Sequence, residues 1–269
     1  MSGGAERLTP PLDVSLLAPL LERPQHSGIL TDFDGTIAPI VADPGAAVAL
    51  PGTIEVLDHL AGRFGRVAVI SGRPVSYLLA RLAPVAPRLT LRGLYGFERA
   101  DGGVASELDG LARWRRVLED VADLAEAEAP AGVAVERKGL AVTLHVRNAP
   151  DAQSWMDGFV DRAVPSAGLR AHPGRKSVEI RPPVDTDKGT VVADVARGLA
   201  AVCFLGDDRG DLPAFAALRE LRAGGVATLA VAVASAESPS ELLAQADVVL
   251  DGPEAALELL RQLARAPES

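Results

Sequence analysis

Aromatic residues and cysteine are both scarce in this sequence. Of its 269 residues only 4% are aromatic, and a single cysteine, Cys203, is present. One cysteine excludes an internal disulfide framework, and its place in an apolar run predicts an inert thiol in the core. A hydrophobic fraction of 48% still allows one large or two modest domains, whose cores must consist mostly of Ala, Val and Leu.

Long hydrophobic runs and a recognisable targeting segment are missing as well. The longest apolar stretch, VATLAVAVASA from Val226, is too short to span a bilayer. The N-terminal MSGGAERLTPPLD has no basic region leading into an apolar one, which predicts a partly disordered leader and no signal peptide. These features favour a soluble, cytoplasmic protein that has no membrane partner.

Positive charge is outweighed by negative charge. The chain has 27 Lys and Arg against 36 Asp and Glu, a net charge of −9. Nucleic-acid phosphates would be repelled, and no basic block interleaved with aromatics occurs, so we expect no nucleic-acid partner. An anionic substrate would have to be held by a few local lysines, arginines or a metal ion.

Strand-length apolar runs alternate with helical patterns along both ends of the chain. This alternation predicts a Rossmann-like, doubly wound α/β core, in which helices cover a mostly parallel sheet. An amphipathic helix with Pro51 near its start is predicted between the first two strands. The predicted buried strands are GILTDF (28–33), RVAVISG (66–72), LTLRGLYG (89–96), AVCFLGDD (201–208), VATLAVAV (226–233) and ADVVLDG (246–252).

The middle third of the chain has a different pattern. Apolar residues recur every three or four positions from Leu108 to Leu124, and a second helix is predicted around residues 151–164. In GLAVTLHVRN and KSVEIRPP the period is two, which indicates antiparallel strands with one polar face that includes Thr143, His145 and Arg147. We therefore predict an N-terminal leader and helix (1–26), a core (27–103 and 183–269) and an inserted α+β cap (104–182).

Polar side chains follow several of the predicted strands. Ligands bind open parallel sheets beyond the carboxyl ends of the strands, so these side chains are candidates for a common site. Asp32 and Asp34 stand two apart, and in an extended chain they would share a face. The candidates are Asp32, Asp34, Thr36, Ser71, Arg73, Lys188, Asp207, Asp208 and Asp211.

Each candidate also has an ordinary structural interpretation. The segment around Asp34 and Gly35 is typical of a turn, SGRP would cap a helix through Ser71, Lys188 would be solvated, and GDDRGD would start a helix. The set is harder to explain in this way, because five carboxylates at one sheet edge repel unless a hard cation lies among them. The sequence therefore predicts a site for a divalent cation and an anion.

The order and spacing of DFDGT, a strand ending in serine, a lysine and GDDRGD resemble the haloacid dehalogenase superfamily of phosphatases. The resemblance implies that Asp32 attacks phosphorus and that Asp34 acts as general acid and then as general base. It also implies Mg²⁺, held by Asp32, the backbone carbonyl of Asp34 and Asp207. In this resemblance the phosphoryl group or substrate is bound by Ser71, Lys188, Thr36 and Arg73. Asp208 and Asp211 would hold metal-bound water or orient Lys188.

A closer resemblance links LYGFE, VERKGLAVTLHVR, VEIRPPVDTDKG and GDDRGDLPAF to the trehalose-phosphate phosphatase family. It implies hydrolysis of trehalose 6-phosphate and a functional link to a trehalose-phosphate synthase. It also implies that Glu136, Lys138, Arg147 and Glu179 of the cap hold the sugar. The family usually has Thr-Asp-Glu after its paired aspartates, where this chain has Gly210, Asp211 and Leu212.

Other interpretations remain open at this point. The same chemistry would serve another sugar phosphate, such as sucrose phosphate or mannosyl-phosphoglycerate, and the polar face of the cap would also suit a solvated surface. A non-catalytic phosphosugar-binding partner of a glycosyltransferase is a further alternative, against which Asp32, Asp34, Lys188 and Asp207 count. A receiver-like signalling domain is excluded by the size of the chain and by the insertion.

Overall fold

A computed structural model describes residues 9–41, 43–174, 176–236 and 238–266. The predicted disordered leader falls largely on residues 1–8, outside the described residues. The described chain divides into two compact units, of which Glu107–Asp185 forms the second and the segments on either side form the first. Among the described helices, none is both long enough and apolar enough to cross a membrane.

The secondary structure of the described residues alternates between strands and helices. The strands are β1 Ser27–Thr31, β2 Arg66–Ile70, β3 Thr90–Gly93, β4 Glu98–Asp101, β5 Val104–Glu107, β6 Ala134–Arg137, β7 Val142–His145, β8 Arg170–Gly174, β9 Ser177–Arg181, β10 Ala201–Gly206, β11 Ala227–Ala234 and β12 Val248–Asp251. The α-helices are α1 Val14–Leu21, α2 Thr53–Arg63, α3 Val75–Arg81, α4 Ala112–Glu128, α5 Gln153–Ser166, α6 Lys188–Val195, α7 Leu212–Ala223, α8 Ser240–Gln245 and α9 Gly252–Arg265.

The first unit is built on a sheet of strand order β12-β11-β10-β1-β2-β3-β4-β5. From β12 to β3 neighbouring strands run parallel, and β4 returns antiparallel to β3. Strand β1 lies between β10 and β2, so the carboxyl ends of these three strands meet at one edge. The predicted α/β class, with a separate antiparallel sheet in the insertion, is confirmed.

Both faces of the large sheet are buried, which explains why its strands are almost continuously apolar. Ile29, Cys203 and Val231 belong to one hydrophobic cluster, whereas Leu30 and Phe204 belong to the cluster on the other face. Cys203 is buried as predicted, and burial raises the pKa of its thiol. The thiol is therefore held in its unreactive neutral form.

Two features of the β3–β5 region differ from the sequence-based expectation. Strand β3 ends at Gly93, and the predicted continuation to Gly96 is wrong because Leu94 and Tyr95 adopt left-handed backbone angles in a 3₁₀ turn. Strands β4 and β5 were not predicted. Strand β5 is short and largely exposed, so it lacks the apolar alternation from which strands are recognised.

The second unit contains an antiparallel sheet of order β6-β7-β9-β8. Leu118 of α4 and Phe159 of α5 pack with Leu144 and Ile180 of this sheet in one hydrophobic cluster. The two helices begin two to four residues later than the predicted segments at 108–124 and 151–164. The opposite face of the sheet carries the polar side chains described below.

Candidate active site

Asp32 and Lys188 form a buried ion pair at the carboxyl end of β1. The Asp32 amide N–H donates to the carbonyl of Leu205 in β10 at 2.9 Å, which holds Asp32 at the sheet edge. Lys188 is the first residue of α6, and its Nζ lies 2.9 Å from Asp32 Oδ2. Burial opposes the charge on Lys188, but the Asp211 and Asp32 carboxylates raise its pKa well above the ordinary value. Lys188 is therefore a fixed positive charge.

Asp211 connects this lysine to the loop after β10. Its Oδ1 accepts a hydrogen bond from Lys188 Nζ at 2.6 Å. Its Oδ2 accepts from the backbone N–H groups of Asp207 at 2.9 Å and Asp208 at 3.2 Å. Both oxygens of this fully buried carboxylate are engaged, so Asp211 fixes the position of the lysine and of the loop at once.

Asp32, Asp207 and Asp211 form a carboxylate cluster, in which one oxygen from each residue lies within 4.8 Å of the others. Burial, followed by the charges of Asp32 and Asp211, raises the pKa of Asp207 to about 9. Burial likewise raises the pKa of Asp32, and its Oδ1 has no hydrogen-bond partner among the described residues. A buried acceptor without a donor, surrounded by hard oxygen ligands, fits a divalent cation such as Mg²⁺.

The turn after Asp32 packs directly against Asp207. Gly35 has a left-handed φ of +74°, and a Cβ at this position would lie 2.0 Å from Asp207 Oδ2. Only glycine satisfies both requirements. The neighbouring Thr36 is buried, and its Oγ1 lies 3.5 Å from Asp207 Oδ1. The DGT segment is thus shaped around the carboxylate cluster.

Asp34 has a different basic partner from Asp32. Arg73 donates from Nε to Asp34 Oδ2 at 2.7 Å and from Nη2 to Oδ1 at 2.8 Å. The guanidinium also lies over the ring of Tyr77, with its central carbon 4.7 Å from the ring centroid. Planar stacking and a bidentate ion pair together fix the orientation of Arg73 and of the Asp34 carboxylate.

Ser71 and Asp208 border these groups. Ser71 is buried, and its Oγ accepts from the backbone N–H of Arg73 at 3.1 Å. The alternative that Ser71 caps the next helix is wrong, because α3 begins at Val75 and the N–H of Val75 donates to Glu98 Oε2 at 2.7 Å. Asp208 is exposed and its Oδ1 accepts from the N–H of Gly210 at 2.8 Å, so its side chain caps the loop.

The second unit has its own group of charged side chains, named the cap polar cluster. Its members are Glu136, Lys138, Thr143, His145, Glu179 and Arg181. Lys138 Nζ lies 3.1 Å from Glu179 Oε2 and 3.4 Å from Glu136 Oε2, so one ammonium joins two carboxylates. Glu179 also accepts from Arg181 Nε and, at 3.3 Å, from Thr143 Oγ1.

Opposite charges keep both glutamates of this cluster ionised. Burial would raise the pKa of Glu136, but the hydrogen bond from His145 and the charge of Lys138 lower it to about 2. For Glu179, burial is likewise outweighed by Lys138 and Arg181, so its pKa is lowered. A face that carries fixed charges with partly accessible oxygens suits the recognition of hydroxyl-rich molecules.

Sequence reasoning identified some members of the cap polar cluster and missed others. Glu136, Lys138 and Glu179 are brought together, whereas Arg147 is exposed in the turn after β7 and is not among the contacts of the cluster. The period of two puts His145 on the polar face, but neither His145 nor Arg181 is among the predicted site residues. The strand register is a signal for part of the cluster, because it sets Thr143 opposite both Glu136 and Glu179, with His145 two residues later on the same face.

Known proteins are similar to this chain in sequence. A trehalose-phosphate phosphatase from Mycobacterium tuberculosis is 36% identical over 202 residues, which cover 71% of this chain and 51% of that protein. An uncharacterized glycosyl hydrolase from the same organism is 36% identical over 214 residues, covering 72% of this chain and 15% of that protein. This chain therefore spans about half or less of the length of these curated relatives.

A solved structure and a family profile extend the comparison. The C-terminal domain of a C. albicans trehalose-6-phosphate phosphatase has a TM-score of 0.74 and 26% identity, and the match covers 97% of this chain and 99% of that domain. The sequence profile of the trehalose-phosphatase family matches residues 30–249. The matched range includes the carboxylate cluster, Lys188 and the cap polar cluster. This chain belongs to the trehalose-phosphatase family.

Proposed function

We propose that this chain is a Mg²⁺-dependent phosphatase that hydrolyses trehalose 6-phosphate to trehalose and phosphate. The observation that carries the proposal is the buried Asp32 beside Lys188, with Oδ1 lacking a hydrogen-bond partner among the described residues, in a member of the trehalose-phosphatase family. We also propose a cytoplasmic location and a functional link to a trehalose-phosphate synthase that supplies the substrate.

In the proposed reaction Asp32 is the nucleophile. A carboxylate oxygen of Asp32 attacks phosphorus, the bond to the sugar oxygen breaks, and an aspartyl-phosphate forms. Asp34 gives a proton to the departing sugar oxygen. A water molecule then attacks the aspartyl-phosphate while Asp34 takes its proton, which releases phosphate and restores Asp32. Before substrate binds, Arg73 holds the ionised Asp34 carboxylate through two hydrogen bonds. Asp34 must leave this ion pair and take up a proton from solvent before it can act as the acid.

Lys188, Ser71 and Thr36 provide the surroundings of the phosphoryl group. Lys188 offsets the negative charge of the phosphoryl oxygens, since its ammonium already lies 2.9 Å from Asp32. Ser71 donates from its hydroxyl to a phosphoryl oxygen, and Arg73 adds a second positive charge nearby. Thr36, through its contact with Asp207, supports the turn that carries Asp34.

The proposed cation is held by Asp32, Asp207 and the backbone carbonyl of Asp34. Bound Mg²⁺ supplies positive charge that stabilises the negative charge of the transferring phosphoryl group. Asp211 acts by orienting Lys188, because Lys188 and two backbone N–H groups engage both of its oxygens. Asp208 caps the loop that carries Asp207.

The cap polar cluster is the proposed sugar-binding surface. Glu136, Lys138 and Glu179 offer charged acceptors and donors, which form stronger hydrogen bonds to hydroxyls than neutral groups do. Arg147 enters this set through the family resemblance, and its exposed side chain is accessible to a ligand. Binding energy from the sugar helps to align the phosphoryl group with Asp32.

Phosphate release from a panel of substrates tests the proposal. We expect rapid release from trehalose 6-phosphate, slow release from sucrose phosphate, mannosyl-phosphoglycerate and monosaccharide phosphates, and none from any substrate with excess chelator. Asp32→Asn protein serves as the blank for contaminating phosphatases. Faster turnover of another sugar phosphate would overturn the substrate, and full activity in chelator would overturn the metal requirement.

A further inference from the structure

The turn between β3 and β4 holds two consecutive non-glycine residues in the left-handed region. Leu94 has a φ of 47° and Tyr95 a φ of 56°, and Gly96 follows at 101°. Left-handed angles are unfavourable for residues other than glycine, because Cβ crowds the following carbonyl oxygen. Such residues persist where the surrounding structure imposes them, often beside a functional site.

Backbone hydrogen bonds fix this turn to the end of β2. The N–H of Tyr95 donates to the carbonyl of Ser71 at 3.1 Å, and that of Leu94 donates to the carbonyl of Arg73 at 2.9 Å. The carbonyl of Tyr95 accepts from Thr186 Oγ1 at 2.9 Å. The position of the turn is therefore tied to the position of the segment that carries Ser71 and Arg73.

The ring of Tyr95 lies between two glycines of the candidate active site. A Cβ at Gly72 would lie 2.8 Å from the Tyr95 hydroxyl oxygen and 2.9 Å from Cζ. A Cβ at Gly210 would lie 3.7 Å from Cε1 of the same ring. Gly72 stands between Ser71 and Arg73, and Gly210 stands in the loop of Asp207 and Asp211, so the ring separates the two loops.

We propose that Tyr95 is a positioning residue of the phosphoryl site, and that its ring sets the spacing between the Ser71 loop and the Asp207 loop. The inference rests on the proposed function, in which Ser71 and Lys188 hold the phosphoryl oxygens. Tyr95 acts through these loops, and the left-handed turn is the conformation that brings its ring between them.

Two substitutions at Tyr95 distinguish the effect of the ring from the effect of the left-handed backbone. Tyr95→Asn removes the ring but tolerates the left-handed angle, and Tyr95→Phe keeps the ring and removes only the hydroxyl. Lys176→Asn is the matched backbone control, because Lys176 also has a left-handed φ, of 53°, and is exposed in the second unit. All three proteins should be compared by thermal melting before kinetics.

The main readout is the dissociation constant of inorganic phosphate, measured by calorimetry with Mg²⁺ present. We expect Tyr95→Asn to weaken phosphate binding by about tenfold and to lower kcat/KM equally for trehalose 6-phosphate and p-nitrophenyl phosphate, because misplacement of loops affects the shared phosphoryl group. Tyr95→Phe should stay within about threefold of wild type, since the ring remains. Lys176→Asn should bind phosphate as wild type does.

A double-mutant cycle with Gly72→Ala gives an independent check. The added Cβ collides with the Tyr95 ring, so Gly72→Ala alone should also weaken phosphate binding. In the Tyr95→Asn background the ring is gone, so Gly72→Ala should weaken phosphate binding much less than it does in the wild-type background. Additive effects, or unchanged phosphate binding by Tyr95→Asn, would overturn the inference.

The outcomes also separate this inference from the proposed function. A wild-type protein that hydrolyses p-nitrophenyl phosphate but not trehalose 6-phosphate refutes the proposed substrate, and the phosphate measurements on Tyr95 variants still decide the inference. A wild-type protein that neither binds phosphate nor hydrolyses either ester refutes both.

Discussion

Asp34 and Arg73 face each other through two parallel hydrogen bonds of 2.7 and 2.8 Å. Asp32, two residues earlier, is paired instead with Lys188. Each aspartate of the DFD segment therefore has its own cation, one from the loop after β2 and the other from the first residue of α6. This division lets two neighbouring carboxylates keep separate roles despite their mutual repulsion.

Arg73→Lys should reduce turnover far more than it reduces stability. A lysine has no planar fork, so it cannot hold both oxygens of Asp34 or stack on Tyr77 in the same way. Losing one charged hydrogen bond predicts a fall in kcat/KM of about 10- to 100-fold. The control is Arg88→Lys, which alters an exposed arginine–aspartate pair with Asp58. Equal activity of the two variants would contradict the role of the bidentate pair.

Asp32→Asn should abolish turnover while the protein remains folded. An amide does not attack phosphorus, so no aspartyl-phosphate can form. The amide loses the ion pair with Lys188 but also removes one of the mutually repelling carboxylates, and Asp211 still pairs with the lysine, so the metal-free protein should remain folded. Phosphate release and thermal melting check both parts. Trapping a labile phosphoryl group on Asp34 or Asp208 would show that the nucleophile is misassigned.

Stabilisation by Mg²⁺ should grow with pH. The pKa of Asp207 is raised from 3.8 to about 9, so between these values the folded metal-free protein binds a proton that the unfolded chain does not. Its stability should therefore fall as pH rises through this window. Mg²⁺ requires ionised ligands and stabilises the folded state through binding, so its effect increases as the proton is lost.

Melting temperatures in chelator and in excess Mg²⁺, at pH 6 and pH 8.5, test this dependence. Asp207→Asn is the matched variant, because an amide does not titrate and is a weaker ligand. We expect a larger Mg²⁺ shift at the higher pH in wild type and a smaller shift that depends less on pH in the variant, in which Asp32 still titrates. A wild-type shift that is independent of pH would argue against a cation among these carboxylates.

Glu136→Ala should distinguish a sugar phosphate from a small aryl phosphate. Glu136 belongs to the cap polar cluster and is partly accessible, so its loss should lower kcat/KM for trehalose 6-phosphate by about 10- to 100-fold, equivalent to one or two charged hydrogen bonds. Hydrolysis of p-nitrophenyl phosphate should change little.

Glu126→Ala is the matched control in the same unit, because Glu126 forms an exposed ion pair with Arg137. Both variants should be assayed on both substrates, with folding checked by thermal melting. An equal fall in kcat/KM of Glu136→Ala on both substrates would mean that Glu136 supports the fold. An unchanged kcat/KM on both would mean that the polar face is only a solvated surface.

The extent to which sequence predicts this molecule differs between its parts. The strand ends of β1, β2 and β10 could be placed from apolar runs alone, because parallel strands deliver their following residues to one edge. That reasoning brings Asp32 and Asp207 to one edge of the sheet, and the structure sets them there with Lys188.

Contacts that depend on loop shape could not be predicted in this way. Nothing in the local pattern pairs Arg73 with Asp34, or assigns the cap of α3 to Glu98, because these contacts join residues brought together only by tertiary folding. The left-handed angles of Leu94 and Tyr95 contradict the local preference of both residues, which is why the predicted strand ran past Gly93.

The central position of β1 has a consequence for biosynthesis. Its neighbour on one side, β10, is translated only after the whole second unit, since Ser27 pairs with Ala201. The second unit is continuous in sequence and has its own hydrophobic cluster, so it can begin to fold while β1 still lacks this neighbour. Asp32 is translated before the second unit, whereas Lys188, Asp207 and Asp211 are translated after it. The carboxylate cluster and its lysine therefore cannot assemble until the second unit and β10 have been made.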